Sequence, residues 1–171
     1  MMKKKYYNNR LTMSKGSMNM KIIKVINDED KKKITRAILE ALPEWFGIVE
    51  AREEYILDSV GKDFYCAIKK DKVVGFLYLK QTGKDTVELA VMGVLKEYHR
   101  KGIGRALFEY AKESIKERGY SFIQVKTVKM GMYEDYDRTN QFYISLGFKE
   151  FEVLNSLWDE NNPCQIYVMA I

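Results

Sequence analysis

The sequence has little cysteine, histidine and proline, and their scarcity excludes several classes of protein. Its 171 residues contain two cysteines, one histidine and two prolines. Cys66 and Cys164 lie far apart without a CxxC spacing, so neither a disulfide framework nor a metal site is supported, and we expect reduced thiols. No run reaches the roughly 20 apolar residues of a membrane span, and no apolar block follows the basic start. We therefore expect a cytoplasmic protein with no membrane partner.

Positive charge is concentrated at one end of the chain. The whole sequence has 29 basic and 24 acidic side chains, but residues 1–24 contain seven basic residues and no acidic one. The remainder is slightly acidic, which removes the compositional argument for a nucleic-acid partner. We predict that residues 1–19 form a basic disordered extension, with binding of a polyanion as the alternative reading. Residues 20–171 are predicted to form one domain.

Segments typical of strands and helices alternate along this domain and predict an α/β fold with a mixed sheet. The segment 86–94 is apolar on both faces, which predicts a central strand covered on both sides, and Gly93 marks a bulge or a close approach. Residues 45–47 are predicted to form a short apolar loop. Strands are predicted over 20–26, 64–69, 73–81, 86–94, 122–128, 148–157 and 165–169, and helices over 28–41, 48–60, 104–118 and 136–146.

The loop after the predicted central strand contains two closely spaced glycines. It reads Tyr-His-Arg-Lys-Gly-Ile-Gly-Arg-Ala-Leu over residues 98–107. Gly102 and Gly104 let the backbone aim several N–H groups at one point, and the following helix adds its positive end, so the loop is a candidate anion site. A tight turn flanked by surface charges is the alternative. Leu107 stands where the dinucleotide fingerprint needs glycine, and no Gly-Lys-Ser/Thr follows, which excludes both familiar nucleotide loops.

This loop resembles the Gln/Arg-x-x-Gly-x-Gly/Ala motif of the GNAT acetyltransferases, with His99 in the Gln/Arg place. The run Phe-Tyr-Ile-Ser-Leu-Gly-Phe over residues 142–148 is similar to the family's Phe-Tyr-x-x-x-Gly-Phe helix end. The resemblance spans residues 20–170. It implies a single-domain acyl-CoA N-acyltransferase fold, in which a mixed sheet of about seven strands is flanked by about four helices.

The resemblance also implies an activity, a co-substrate and partners. It implies transfer of the acetyl group of acetyl-CoA to a primary amine of a small molecule or a peptide N-terminus by direct attack. Homodimers are common in the family, so a homodimer is a state to test. The family carries a coenzyme A-binding asparagine at the position of Tyr136 here. That departure keeps open the alternative of a non-catalytic module that binds or senses acyl-CoA.

Two residues are candidates for proton transfer. Tyr143 matches the tyrosine that the family uses to protonate the leaving thiolate, and a core aromatic is the alternative reading. Glu88 is the charged residue of the predicted central strand, where several family members carry a glutamate that acts as base or orders a water that does. Burial would suit Glu88 to accept a proton near neutral pH, and a strand-end residue facing solvent is the alternative.

Further residues are assigned to the co-substrate by the same resemblance. The backbone of Met92 and Val94 is expected to bind the acetyl carbonyl and the pantetheine arm, where N–H groups would stabilise an oxyanion. Asn140 is a candidate to replace the missing asparagine, and a solvated helix residue is the alternative. The pyrophosphate is assigned to His99, Arg100, Lys101, Gly102, Ile103, Gly104 and Arg105.

The acceptor side is expected to combine aromatic rings with carboxylates. Regions near residues 45–55 and 158–164 usually wall the acceptor pocket in this family. Aromatic rings with carboxylates suit a cationic amine, although a packed core explains Trp45 and Phe46 almost as well. The candidate acceptor-binding residues are Trp45, Phe46, Glu50, Tyr55 and Trp158.

Overall fold

A computed structural model describes residues 20–171, so the predicted basic extension lies outside the described residues. The described chain forms a seven-stranded mixed sheet with flanking helices, as expected. The strands are β1 (Met20–Val25), β2 (Asp63–Lys69), β3 (Lys72–Gln81), β4 (Thr86–Val94), β5 (Phe122–Val128), β6 (Lys149–Asp159) and β7 (Asn162–Ala170). The helices are α1 (Asp28–Glu40), α2 (Pro43–Phe46), α3 (Val49–Asp58), α4 (Ile103–Glu117) and α5 (Glu134–Leu146).

The strands follow the order β1-β2-β3-β4-β5-β7-β6. β4 and β5 run parallel, and β5 with β7, β7 with β6, β1 with β2 and β2 with β3 are antiparallel. The described residues divide into two compact units. The first unit contains residues 20–79 and 91–113, and the second contains 80–90 and 114–171.

In the first unit, helix α1 is capped at its N-terminus and packs closely against β4. The Asn27 side chain accepts a 3.0 Å hydrogen bond from the Asp30 amide, and three acidic residues in the first turn complement the helix dipole. A Cβ on Gly93 would lie 2.8 Å from Ile38 of α1, so only glycine fits there. The predicted close approach at Gly93 is therefore confirmed.

The hairpin between β2 and β3 turns on two residues. Lys70 and Asp71 have φ of 48° and 60°, the left-handed pair that a tight hairpin with the correct twist requires. Lys72, which the sequence placed in the turn, is the first residue of β3. Behind the hairpin, Phe64 and Phe76 stack at 5.2 Å between ring centroids and are fully buried.

In the second unit, β5 is paired on both sides. It pairs with β7 along its whole length, from Phe122 opposite Ala170 to Val128 opposite Cys164. With β4 it pairs at residues 86–88, where Glu88 lies opposite Gln124. Helix α5 ends at Gly147, whose φ of 102° and backbone N–H bonds close the helix as predicted.

Two predictions of local structure are wrong. Trp45 and Phe46 lie in the short helix α2 and not in a loop, because Pro43 occupies its first turn, where a fixed φ and a missing N–H favour a helix start. β4 is the middle strand in the sheet order, but only one of its faces is buried. Glu88, Ala90 and Met92 lie on the half-buried face. An apolar run does not by itself show what covers each face.

Candidate active site

The loop between β4 and α4 is shaped by two left-handed residues. Arg100 has φ of 60° and Gly102 has φ of 76°. The Ala106 amide donates a 3.0 Å hydrogen bond to the Gly102 carbonyl, which makes Gly102 the residue that caps α4. The amides of Ile103 and Gly104 precede this first hydrogen bond of the helix, so helix geometry gives them no carbonyl partner. These donors and the positive end of α4 suit an anion.

Space and charge around the loop also fit a pyrophosphate group. A Cβ at Gly102 would meet no heavy atom within 4 Å, so the approach to the backbone is open. Arg100, Lys101 and Arg105 are exposed and supply positive charge. Lys101 is held in place by a 2.6 Å hydrogen bond from its ammonium to the Glu97 carbonyl. The residues present therefore fit the diphosphate of coenzyme A.

His99 fastens this loop to the end of β4. Its Nε2 lies 2.6 Å from the Val94 carbonyl oxygen, a distance at which a protonated Nε2 donates to that oxygen. The Trp45 ring meets the His99 ring edge to face at 5.8 Å between centroids. The sequence assigned Trp45 to the acceptor side, and the structure places it against a loop residue.

The other acceptor-side candidates are divided between the two units. Phe46 and Tyr55 contact each other edge to face at 6.0 Å, and Glu50 is exposed. Trp45 and Phe46 are half-buried, so they are not fully enclosed core residues. Trp158 belongs to the second unit, on β6, and its side chain is 46% exposed.

Tyr143 lies in an aromatic environment within the second unit. It is 7% exposed, and its ring centroid lies 5.8 Å from that of Phe148 and 6.3 Å from that of Tyr167. Burial, with a smaller contribution from Tyr136, raises the pKa of Tyr143 well above its usual range. The hydroxyl therefore keeps its proton at neutral pH, which is the form that a proton donor needs.

Asn140 is fully buried and joins three elements. Its amide nitrogen donates to the carbonyls of Val128, at 2.9 Å, and Tyr136, at 2.7 Å. Its oxygen accepts a 2.7 Å hydrogen bond from the Tyr167 hydroxyl. The alternative of a solvated helix residue is wrong, because the side chain is 0% exposed. A contact with coenzyme A would require these internal hydrogen bonds to be exchanged.

Glu88 is part of an ion pair that sequence reasoning missed. Its Oε2 lies 2.7 Å from Nζ of Lys126, and the two side chains are 13% and 26% exposed. Glu88 is therefore not the solvent-facing strand-end residue of the alternative reading. The alternation of β5 places Lys126 on the same face as Gln124, but the pairing of Gln124 with Glu88 is known only from the structure.

Cys164 lies close enough to this pair to interact electrostatically with both charges. Burial, the main effect, raises the pKa of Cys164 to about 11, while Lys126 lowers it and Glu88 raises it. The thiol is therefore neutral at physiological pH. In residues 20–171, no group of three or more histidine, cysteine or acidic side chains is arranged to hold a metal ion. The same residues contain no helix long and apolar enough to cross a membrane.

Comparison with known proteins identifies the family. The acetyltransferase (GNAT) domain model matches residues 60–150, more than half of the chain. The matched region contains the loop of residues 99–105, Glu88 and Tyr143. The chain therefore belongs to the GNAT acetyltransferase family, whose members transfer acyl groups from acetyl-CoA to amine acceptors.

Individual relatives agree with this assignment. An uncharacterised N-acetyltransferase of Chlorobaculum tepidum is 30% identical over 58% of this chain and 57% of its own length. N-acetylaspartate synthetase of Xenopus tropicalis is 32% identical over 60% of this chain and 36% of its own length. The matches thus span less than two thirds of the length of each relative. A GNAT acetyltransferase of Elizabethkingia anophelis, solved with acetyl-CoA bound, is 15% identical and superposes with a TM-score of 0.66 over 91% of this chain and all of that chain.

Proposed function

We propose that this chain is an acetyl-CoA-dependent N-acetyltransferase that acetylates a primary amine of a small molecule or a peptide N-terminus by direct attack. The geometry at residues 100–105 carries the proposal, because it combines open left-handed backbone, the positive N-terminal end of α4 and three exposed cationic side chains. A cytoplasmic location and a homodimer stay predictions.

In this proposal the loop before α4 and the end of β4 bind the co-substrate. The loop residues from His99 to Arg105 hold the diphosphate, and Asn140 keeps an internal role. The β4 amides near Met92 and Val94 are assigned to the acetyl oxygen by the resemblance to the family. When bound, acetyl-CoA supplies a thioester carbonyl that a neutral amine can attack.

Proton transfer is assigned to Glu88 and Tyr143. Glu88 accepts one proton from the acceptor ammonium, since a lysine-like amine with a pKa of about 10.4 is otherwise charged at neutral pH. The neutral nitrogen then forms the C–N bond while the C–S bond breaks. Tyr143 donates its proton to the leaving thiolate. The second proton lost by nitrogen restores the Tyr143 hydroxyl through solvent, and the proton on Glu88 is released to water.

A non-catalytic acyl-CoA module is the alternative. It is favoured by Tyr136, which stands in place of the family's coenzyme A-binding asparagine, and by the internal hydrogen bonds of Asn140. A module of this kind would bind acetyl-CoA without consuming it.

Two measurements on the full-length chain separate these functions. Calorimetry with acetyl-CoA should show saturable binding under both readings, and its absence would reject both. Release of free coenzyme A thiol is then followed over a panel of amines, amino acids and peptides. Acceptor-dependent release supports the transferase. Saturable binding with no release above hydrolysis supports the module.

A further inference from the structure

The Glu88–Lys126 ion pair places a positive charge beside the proposed base. The pair joins two adjacent parallel strands, with 2.7 Å between Oε2 of Glu88 and Nζ of Lys126. Its members lie on the half-buried side of the sheet and remain partly accessible. In the described chain Glu88 is the ion-pair partner of Lys126, so an arriving acceptor must share or replace this contact.

The neighbours of the pair leave its two charges balanced. Cys164 interacts with both side chains but is a neutral thiol at physiological pH. Gln124, which is opposite Glu88 in the register, donates a 2.9 Å hydrogen bond to the Thr82 hydroxyl and carries no charge. The cluster therefore presents one carboxylate and one ammonium to an acceptor.

This balance disfavours an acceptor whose only charge is an ammonium. To give its proton to Glu88, such an amine would have to come within hydrogen-bond distance of the carboxylate. Its charge would then lie within a few ångströms of the Lys126 ammonium, where like charges repel strongly in a partly buried site. If Lys126 moved away instead, its ammonium would exchange the carboxylate for water and leave Glu88 paired with the acceptor alone.

A carboxylate on the acceptor removes this penalty. The ammonium and carboxylate of an amino acid are separated by a single carbon, so one acceptor can contact Glu88 and Lys126 at the same time once the two side chains have separated. The long, flexible Lys126 side chain can swing from Glu88 to the acceptor carboxylate while the acceptor ammonium takes its place on Glu88. Each charge then keeps an opposite partner, and Glu88 is left free to accept the proton.

We propose that the acceptor is a primary amine with an adjacent carboxylate, as in a free amino acid, and that Lys126 is the residue that selects it. This inference rests on the proposed acetyltransferase function. Lys126 binds the carboxylate before and after transfer, since acetylation removes the charge on nitrogen and leaves the carboxylate unchanged. Lys126 determines which acceptor is selected. Glu88 remains the proton acceptor and Tyr143 the proton donor.

Matched acceptors test the selection directly. Each of the common L-amino acids is compared with its primary amide, which keeps the amine and side chain and lacks the carboxylate. Rates of thiol release are measured with the full-length chain at saturating acetyl-CoA. We expect at least one free amino acid to exceed its amide about 10- to 100-fold in kcat/KM, the range of one charge-assisted hydrogen bond.

Variants of Lys126 test whether this residue selects acceptors that carry a carboxylate. Lys126→Gln should lower kcat/KM for the free amino acid about 10- to 100-fold, mainly through KM, and bring it close to the amide. Lys126→Arg should keep most of the preference, because it keeps the charge. The matched control is Lys24→Gln, which breaks a 2.7 Å cross-strand ion pair with Asp63 between β1 and β2 and should leave the preference unchanged.

The outcomes separate this inference from the proposed function. Turnover of amides or simple amines at least equal to that of amino acids overturns the inference and leaves the transferase intact. The same holds if Lys126→Gln keeps the full preference. Binding of acetyl-CoA without turnover of any acceptor rejects both the transferase and the inference. If Lys126→Gln does not fold, the comparison of free amino acids with their amides in the unaltered chain still tests whether the acceptor carboxylate is selected.

Discussion

The hydroxyl of Tyr167 donates a 2.7 Å hydrogen bond to the side-chain oxygen of Asn140, in a part of the second unit where both residues are fully buried. Asn140 also donates to the Val128 carbonyl at the end of β5. One side chain thus joins α5 to β5 and β7. Because Tyr143 lies one helical turn after Asn140, the same contacts fix the helix that carries the proposed proton donor.

Removing the Tyr167 hydroxyl should destabilise the fold. Tyr167→Phe leaves the Asn140 oxygen buried without its donor, and we expect the free energy of unfolding to fall by about 1–3 kcal/mol. Urea denaturation measures the change. The control is Tyr120→Phe, since this tyrosine lies outside the buried network. Equal stability of Tyr167→Phe and the unaltered protein would mean that water replaces the hydroxyl at no cost.

Negative charge in the loop before α4 should abolish co-substrate binding. Gly102→Asp puts a carboxylate where the diphosphate is proposed to lie, and we expect acetyl-CoA affinity to fall about 100-fold or more. Gly119→Asp is a matched control, because Gly119 also has a positive φ, of 82°, and open space around it. Calorimetry compares the two variants. If both bind acetyl-CoA equally well, the loop is only a turn.

Tyr143 should matter for turnover more than for stability. Tyr143→Phe keeps the ring contacts with Phe148 and Tyr167, so the melting temperature should stay within a few degrees, as expected for about 1 kcal/mol or less. Turnover should fall about 100-fold or more if the hydroxyl protonates the thiolate, while acetyl-CoA still binds. Thiol release measures turnover, and calorimetry on the same preparation measures acetyl-CoA binding. Full turnover would return Tyr143 to the role of a core aromatic.

The two cysteines should be unreactive in the native protein. Both are buried, and burial raises the pKa of Cys66 to about 12 and that of Cys164 to about 11. Because the thiolate is the reactive form, disulfide reagents at pH 8 should label the native chain at least about 100-fold more slowly than the unfolded chain. Rapid labelling of the native protein would contradict this burial.

Because both thiols are buried, we expect the free energy of unfolding to fall at alkaline pH. An unfolded thiol ionises near pH 9, while each buried thiol keeps its proton to higher pH, so ionisation favours the unfolded chain as the pH rises. The contribution is complete below about pH 9 and is lost as the pH rises toward 11 for Cys164 and toward 12 for Cys66. The free energy of unfolding should fall less steeply over this range in Cys66→Ala than in the unaltered chain. Parallel slopes would exclude the thiol as a cause.

Some substitutions in the hairpin turn between β2 and β3 should stabilise the protein. Lys70 and Asp71 both adopt a left-handed conformation, which costs an ordinary side chain about 1–2 kcal/mol. Replacing the pair by Asn-Gly should raise the free energy of unfolding by about 1 kcal/mol. Asp71→Ala should lower it, because alanine lacks the local hydrogen bonding that helps aspartate in this conformation. Urea denaturation of the three proteins checks the order.

Most of the secondary structure could be predicted from the sequence, because its causes are local. Residues 86–94 and 122–128 were placed with the observed bounds. Gly119 and Gly147 follow the predicted helices 104–118 and 136–146, and both have the positive φ that glycine adopts without strain. The loop from His99 to Arg105 was also found from the sequence, since backbone direction and glycine spacing are written in consecutive residues.

Only the tertiary structure decided which side chains meet. The ion pair of Glu88 with Lys126 spans 38 positions and depends on the register of two parallel strands, which no local pattern specifies. The sequence was equally compatible with a solvated Asn140, and only the structure shows its hydrogen bond with the Tyr167 hydroxyl. Residue types and short spacings fix local backbone conformation. Burial and charge pairing, by contrast, depend on neighbours that are distant in the chain, and those neighbours determine what each functional side chain can do.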